Sequence, residues 1–133
     1  MRPPKVSSVV HVPQLARIGN PKKSRTFVVP AQIQIDGLGL QTKALCDTGA
    51  DISLSVSPMM ALRAVKHLNA RIKRLCKPIP LADYRRKPLG EATHQLIATF
   101  ELDNRRFKNQ RFLIIDTGYN VFIGQEWFSE QNV

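Results

Sequence analysis

Residues 44–51 read Ala-Leu-Cys-Asp-Thr-Gly-Ala-Asp. An apolar, strand-like run delivers the carboxylate of Asp47 into a tight Thr48-Gly49 turn, where glycine lets the backbone reverse sharply. A carboxylate held this way is a candidate general acid or base. The same tripeptide recurs as Asp116-Thr117-Gly118, 69 residues later. The remaining chemistry-bearing residues form no comparable pattern. His11, His67 and His94 are scattered, without the spacing of a zinc site. Cys46 and Cys76 are the only cysteines, too few for a disulfide framework. Cys46 lies inside the apolar run and reads as a buried free thiol, which suits a reducing compartment. No metal and no other cofactor is expected.

The elements that must position Asp47 follow from the periodicity. In residues 27–35, Phe27, Val29, Ile33 and Ile35 share one parity, a strand kinked at Pro30, since proline cannot donate to a central ladder. Asp36-Gly37-Leu38-Gly39 is a turn signal, and residues 40–46 return as the strand that ends at Asp47. Residues 52–56 form a further apolar strand. Ser57-Pro58 then starts a helix over about 58–68, with serine capping and proline at the first position. Met59, Leu62, Val65 and His67 or Leu68 recur at helical spacing, and the methionines read as core filler. Residues 71–81 alternate loosely and are basic, and residues 82–90 form a long hairpin tip. Residues 94–102 make a strand with Leu96, Ala98, Phe100 and Leu102 on one face. After a turn over residues 103–106 the chain returns through residues 107–115. Val121-Phe122-Ile123-Gly124 is a last short strand, and residues 125–131 a short closing helix. The pattern is mainly β.

A chain of 133 residues, 43% hydrophobic, supports one core with a short extension. The division expected is a basic extended leader over residues 1–24 and one domain over residues 25–133. The leader carries Arg2, Lys5, Arg17, Lys22 and Lys23, four prolines and no acid, as an extended arm or linker would. Its residues 9–15 are apolar enough to pair as an edge strand. The net charge of +10 and the pI near 10.2 favour nucleic acid or an acidic neighbour, or serve as a solubilising surface. Non-specific nucleic-acid contact is expected through the leader. No apolar run of signal-peptide or transmembrane length occurs, so a soluble, intracellular protein without membrane contact is expected.

Three features line up in order: the apolar strand before Asp47-Thr48-Gly49-Ala50-Asp51, the central hairpin at about residues 78–95, and Val121-Phe122-Ile123-Gly124 followed by a short helix. Over about residues 27–130 this arrangement resembles the retropepsins, the aspartic proteases of retroviruses and long-terminal-repeat retrotransposons. Phe122-Ile123-Gly124-Gln125-Glu126-Trp127-Phe128 is similar to the retrotransposon version. Asp-Thr-Gly by itself is a weak motif, and the late apolar-Gly segment at this spacing strengthens it.

The resemblance implies a single-lobe closed β barrel acting as a homodimer, an endopeptidase that processes a retroelement polyprotein, and a cytoplasmic location, virus-like particles included. It implies Asp47 as the catalytic acid and base, Thr48 bonding the partner's mirror loop, Gly49 close to substrate, and Ala50 leaving room for a peptide. Asp51, Tyr84 and Ile123 are the implied substrate contacts, with Ile123 and Val56 as cleft wall or plain core. In the family the aspartate equivalent to Asp51 pairs with an arginine after the late glycine. Here Gln125 stands in that place, leaving Asp51 to solvent or another arginine. Family flaps carry glycine near the tip, whereas residues 84–87 read Tyr-Arg-Arg-Lys. That makes for a stiffer or longer flap, an acidic substrate preference, or a solvated hairpin end.

A two-lobed enzyme pairing Asp47 with Asp116 is the alternative within one chain. Only 15 residues follow Gly118, too few for the rest of a lobe, so residues 116–120 read better as a turn between strands. Two other functions compete: a catalytically silent retropepsin-like module for dimerisation or peptide binding, and a nucleic-acid-binding module suggested by charge alone.

Overall fold

The computed structural model describes residues 26–50, 52–82 and 86–131. The leader, Asp51 and Tyr84 lie outside those residues. In chain order the elements are β1 (Thr26–Ile35), β2 (Leu38–Asp47), β3 (Leu54–Val56), α1 (Pro58–Leu68), β4 (Arg71–Ala82), β5 (Pro88–Leu102), β6 (Arg105–Ile114), β7 (Val121–Gly124) and α2 (Gln125–Gln131). All seven strands join one mixed sheet, ordered β1-β2-β7-β3-β6-β5-β4, and β1 also bonds β5. The hydrogen bonding therefore returns on itself, with β4 attached as an edge strand. The β2–β7 and β3–β6 pairs are parallel and the others antiparallel.

Local chemistry accounts for the boundaries. β1 and β2 are joined by Asp36 and Gly37 at φ 50° and 84°, a two-residue turn whose left-handed residues match the twist of the flanking strands. Asp103 and Asn104, at φ 52° and 64°, repeat the device between β5 and β6. Pro30 lies opposite Lys43 of β2, and β5 bonds β1 only from Ala31 onward. The missing N–H therefore falls on the free half of the strand's edge. The β1–β2 register runs through Pro30 without a shift, so the proline leaves the pairing uninterrupted.

α1 has the expected bounds. Ser57 accepts a 3.0 Å hydrogen bond from the Met60 N–H, Pro58 opens the first turn, and Asn69 ends the helix at φ 58°. Its buried face differs from the expected one. Met60, Ala61, Ala64 and Leu68 pack inward, while Met59 is 71% and Leu62 66% exposed. The helix is apolar on more than one side. The alanines let its axis approach the sheet closely, and longer side chains at those positions would hold it off. Met60 is thus core and Met59 is not.

The main core gathers Ile33, Ala44, Cys46, Leu54, Val56, Met60, Leu96, Phe100, Phe112, Ile123 and Trp127. A seven-residue helix such as α2 has little stability of its own, and Trp127 pins it. The indole meets Phe107 and Phe100 edge-on at 4.9 and 5.7 Å between centroids, and its N–H donates to Gln110 Oε1 at 2.9 Å.

At the junction of β7 and α2, Gly124 donates its N–H to Ser53 O at 2.9 Å. A Cβ on Gly124 would lie 1.8 Å from the Ile52 carbonyl oxygen and 2.9 Å from that of Ala50. Gly118 has φ +87° with open space around it. Gly124→Ala should therefore destabilise by at least about 3 kcal/mol because backbone must move. Gly118→Ala should cost about 1–2 kcal/mol through strain alone. Urea unfolding midpoints of the two variants check this ordering.

Candidate functional site

β2 alternates between two environments. Ala44 and Cys46 point into the main core, so Leu45 and Asp47 project from the opposite face. The chain leaves the strand at Asp47 in a turn that the Ala50 N–H closes onto the Asp47 carbonyl at 3.2 Å. The Gly49 N–H donates to Asp47 Oδ1 at 2.8 Å. The carboxylate is thus oriented by its own turn, the local bonding aspartate favours at such positions. Thr48 and Gly49 are half-buried and Ala50 is buried.

Asp47 itself is 1% exposed, and its Oδ2 has no hydrogen-bond partner among the described residues. A buried polar atom without a partner costs about 1–3 kcal/mol, more for a charged group. Ser55 Oγ and Thr42 Oγ1 are likewise buried and unpartnered there. Two cavities of about 280 Å3 each open on the described surface, and neither is lined by Asp47. One of them reaches its neighbour Cys46 and is otherwise bounded largely by Phe27, Val29, Phe107, Trp127 and Phe128.

Beneath the turn lies a second, smaller cluster of Leu45, Ala50, Ile52 and Phe122, with Leu113 and Ile115 against it. Phe122 pairs in register with Leu45 and Ser55. Ile123, one residue on, is fully buried in the main core and pairs with Cys46 and Leu54. Among the β7 residues, Phe122 supports the acidic turn. Sequence reasoning passed over it and Leu45, although counting back by two from Gly124 and from Asp47 finds both.

The other candidates are dispersed. Asp51 and Tyr84 fall outside the described residues, so their placement as substrate contacts is not described. The hairpin that would carry Tyr84 is formed, with Ala82 opposite Pro88 across residues 83–87. Asp116 is exposed, and its Oδ1 accepts the Gly118 N–H at 3.2 Å, while Thr117 Oγ1 accepts the Tyr119 N–H at 3.3 Å. That is a turn between β6 and β7, tied to the α1 cap by a 2.9 Å bond from the Ser57 N–H to Asn120 O. Asp116 makes no hydrogen bond to Asp47. Among the described residues no three His, Cys, Asp or Glu side chains cluster to hold a metal ion, and no helix is long and apolar enough to cross a membrane.

No known family model matches the chain, and no curated protein matches it.

Both cysteines are free, Cys46 buried and Cys76 exposed. Burial pushes the Cys46 thiol from 9.0 up to about 11. The native state therefore holds its proton where the unfolded chain has lost it. The resulting stability is intact below about pH 9 and is lost as pH rises toward 11. A disulfide reagent at about pH 8 should titrate one thiol quickly, Cys76, and reach Cys46 only after denaturant is added. Two fast thiols in the native chain would contradict the buried placement.

Proposed function

We propose that this chain is one half of an aspartic endopeptidase, completed when two copies bring their Asp47 loops together. The observation that carries the reading is the state of Asp47. Its carboxylate is fixed at a strand end by the Gly49 N–H, with Oδ2 desolvated and lacking a donor among the described residues. A second, protonated carboxyl supplies that donor. Two adjacent carboxylates cannot both ionise, so such a pair shares one proton and titrates as a unit, a pattern taken over from aspartic proteases in general. The ionised member then accepts a proton from water as it attacks a peptide carbonyl, and the protonated member donates to the carbonyl oxygen. Water is the nucleophile and no acyl-enzyme forms.

The surroundings fit. The ring-like bonding supports a single-lobe barrel of the retropepsin kind, with the 82–90 segment as its flap. Phe27 and Val28 are 49% and 55% exposed on the free half of the β1 edge, directly beside Cys46 and Leu45. With the apolar cavity next to them, they suit burial against a second copy. A retroelement polyprotein is the substrate the resemblance suggests.

One observation favours a different reading. With Asp47 only 1% exposed in the single chain, water, a peptide or a second carboxyl reaches it only after the chain rearranges around it. A catalytically silent dimerisation or peptide-binding module needs no such opening.

Digestion of a peptide library between about pH 4 and 7 separates the two. Asp47→Asn should lower cleavage at least about 10²-fold, whereas Asp116→Asn should keep most of it. The reverse result would move the catalytic role to Asp116, and no cleavage by the unaltered chain would favour the silent module. Activity per chain should also rise with concentration until the dimer is saturated. A fully active monomer in sedimentation would overturn the half-site.

A further inference from the structure

We propose that the outer face of the β4–β5–β6 sheet is a binding surface for the phosphate backbone of single-stranded nucleic acid, with Arg71, Lys73 and Arg111 as its contacts. The register places them together. Arg71 pairs with Ile97, which pairs with Arg111, and Lys73 pairs with Gln95, which pairs with Leu113. Residues opposite one another across a sheet project from the same face. The intervening row, Ile72, Leu96 and Phe112, turns the other way, with Leu96 and Phe112 fully buried in the core. All three cations therefore point outward, and all three are exposed. By strand geometry Arg71 and Lys73 stand about 7 Å apart, and Arg71 and Arg111 about 10 Å.

No acid occupies these two rows, and none of the three cations forms an ion pair among the described residues. Elsewhere on the sheet the chain does pair its charges, as Arg106 with Glu101 at 3.7 Å. Basic residues on an edge strand often serve to block strand addition. That role explains neither Arg111, which lies in interior strand β6, nor the alignment across three strands. Closely spaced cations of this kind can follow the phosphates of a single strand, whereas reading a duplex groove takes a protruding helix or ribbon. The rows hold no aromatic side chain, so bases find no stacking platform and binding is electrostatic and tolerant of sequence.

The test is anisotropy of a labelled mixed-sequence RNA of about 20 nucleotides, titrated with the full chain from about 50 to 200 mM salt. It is run in the Asp47→Asn background, so the outcome is independent of any protease activity. Each phosphate contact contributes about 0.7 to the slope of log K against log salt. The triple variant Arg71→Gln, Lys73→Gln, Arg111→Gln should reduce the slope by about 2, equivalent at 0.1 M salt to about a hundredfold in affinity. The charge-keeping triple Arg71→Lys, Lys73→Arg, Arg111→Lys should bind as the parent does, and circular dichroism verifies folding of both. Neutralising Lys43, Lys66 and Lys77 instead should change the slope by less. An unchanged slope in the first triple variant would overturn the proposal and leave binding to the leader. Equal competition by polyglutamate would overturn it in favour of an acidic peptide, and stronger binding to duplex would overturn the single-strand assignment.

Discussion

The absence of a side chain at Gly124 is the constraint on which the site depends. β7 can lie parallel to β2 and still turn into α2 only if its last residue passes under the carbonyls of Ala50 and Ile52, and any Cβ there overlaps the Ile52 oxygen. That contact seats the chain leaving Asp47 directly on β7. The Gly124 N–H bonds Ser53, the Ala50 N–H bonds Asp47, and Phe122 fills the space below. The late glycine and the acidic turn are therefore two sides of one packing arrangement. Their joint presence in a sequence carries more weight than either motif separately.

The strand's period of two then divides the labour. Odd and even positions of β2 face different clusters: Cys46 is carried into the main core, where burial keeps its thiol neutral, and Leu45 into the smaller cluster, with Asp47 projecting from that same face. The carboxylate, buried and half-satisfied among the described residues, is a local cost that the rest of the fold supports. Ring-like bonding, a Trp-pinned terminal helix and a continuous apolar core hold β2 and β7 in place around it. Groups left short of a hydrogen bond inside a satisfied structure mark positions where a partner, water or substrate belongs.

The surface divides in a similar way. One end of β1 exposes Phe27 and Val28 next to the acidic turn, and the outer sheet face presents cations that form no ion pair among the described residues. The first suits another apolar surface and the second a polyanion. Three of the 20 Lys and Arg residues thus stand together on one sheet face, a grouping that composition does not reveal.

The sequence by itself determined the local events. Ser57-Pro58 and Asn69 bound α1, Asp36-Gly37 and Asp103-Asn104 set two hairpins, and Val121–Gly124 and Gln125–Gln131 were legible to the residue. Such features depend on backbone preferences and bonds within a few residues. Tertiary structure decided which face of each element is buried. α1 offers apolar residues on several sides, and only the approach of the sheet selected the alanine side over Met59, Leu62 and Val65. It also decided that Phe122 rather than Ile123 supports the turn, that Pro30 sits on a free edge without shifting the register, and that Arg71 and Arg111 stand in one row. Each of these depends on strand partners distant in sequence. The same holds for Asp47: the turn that orients it is written in residues 47–50, but its burial, and the lack of a donor to Oδ2 among the described residues, exist only once β7, β3 and β2 have come together.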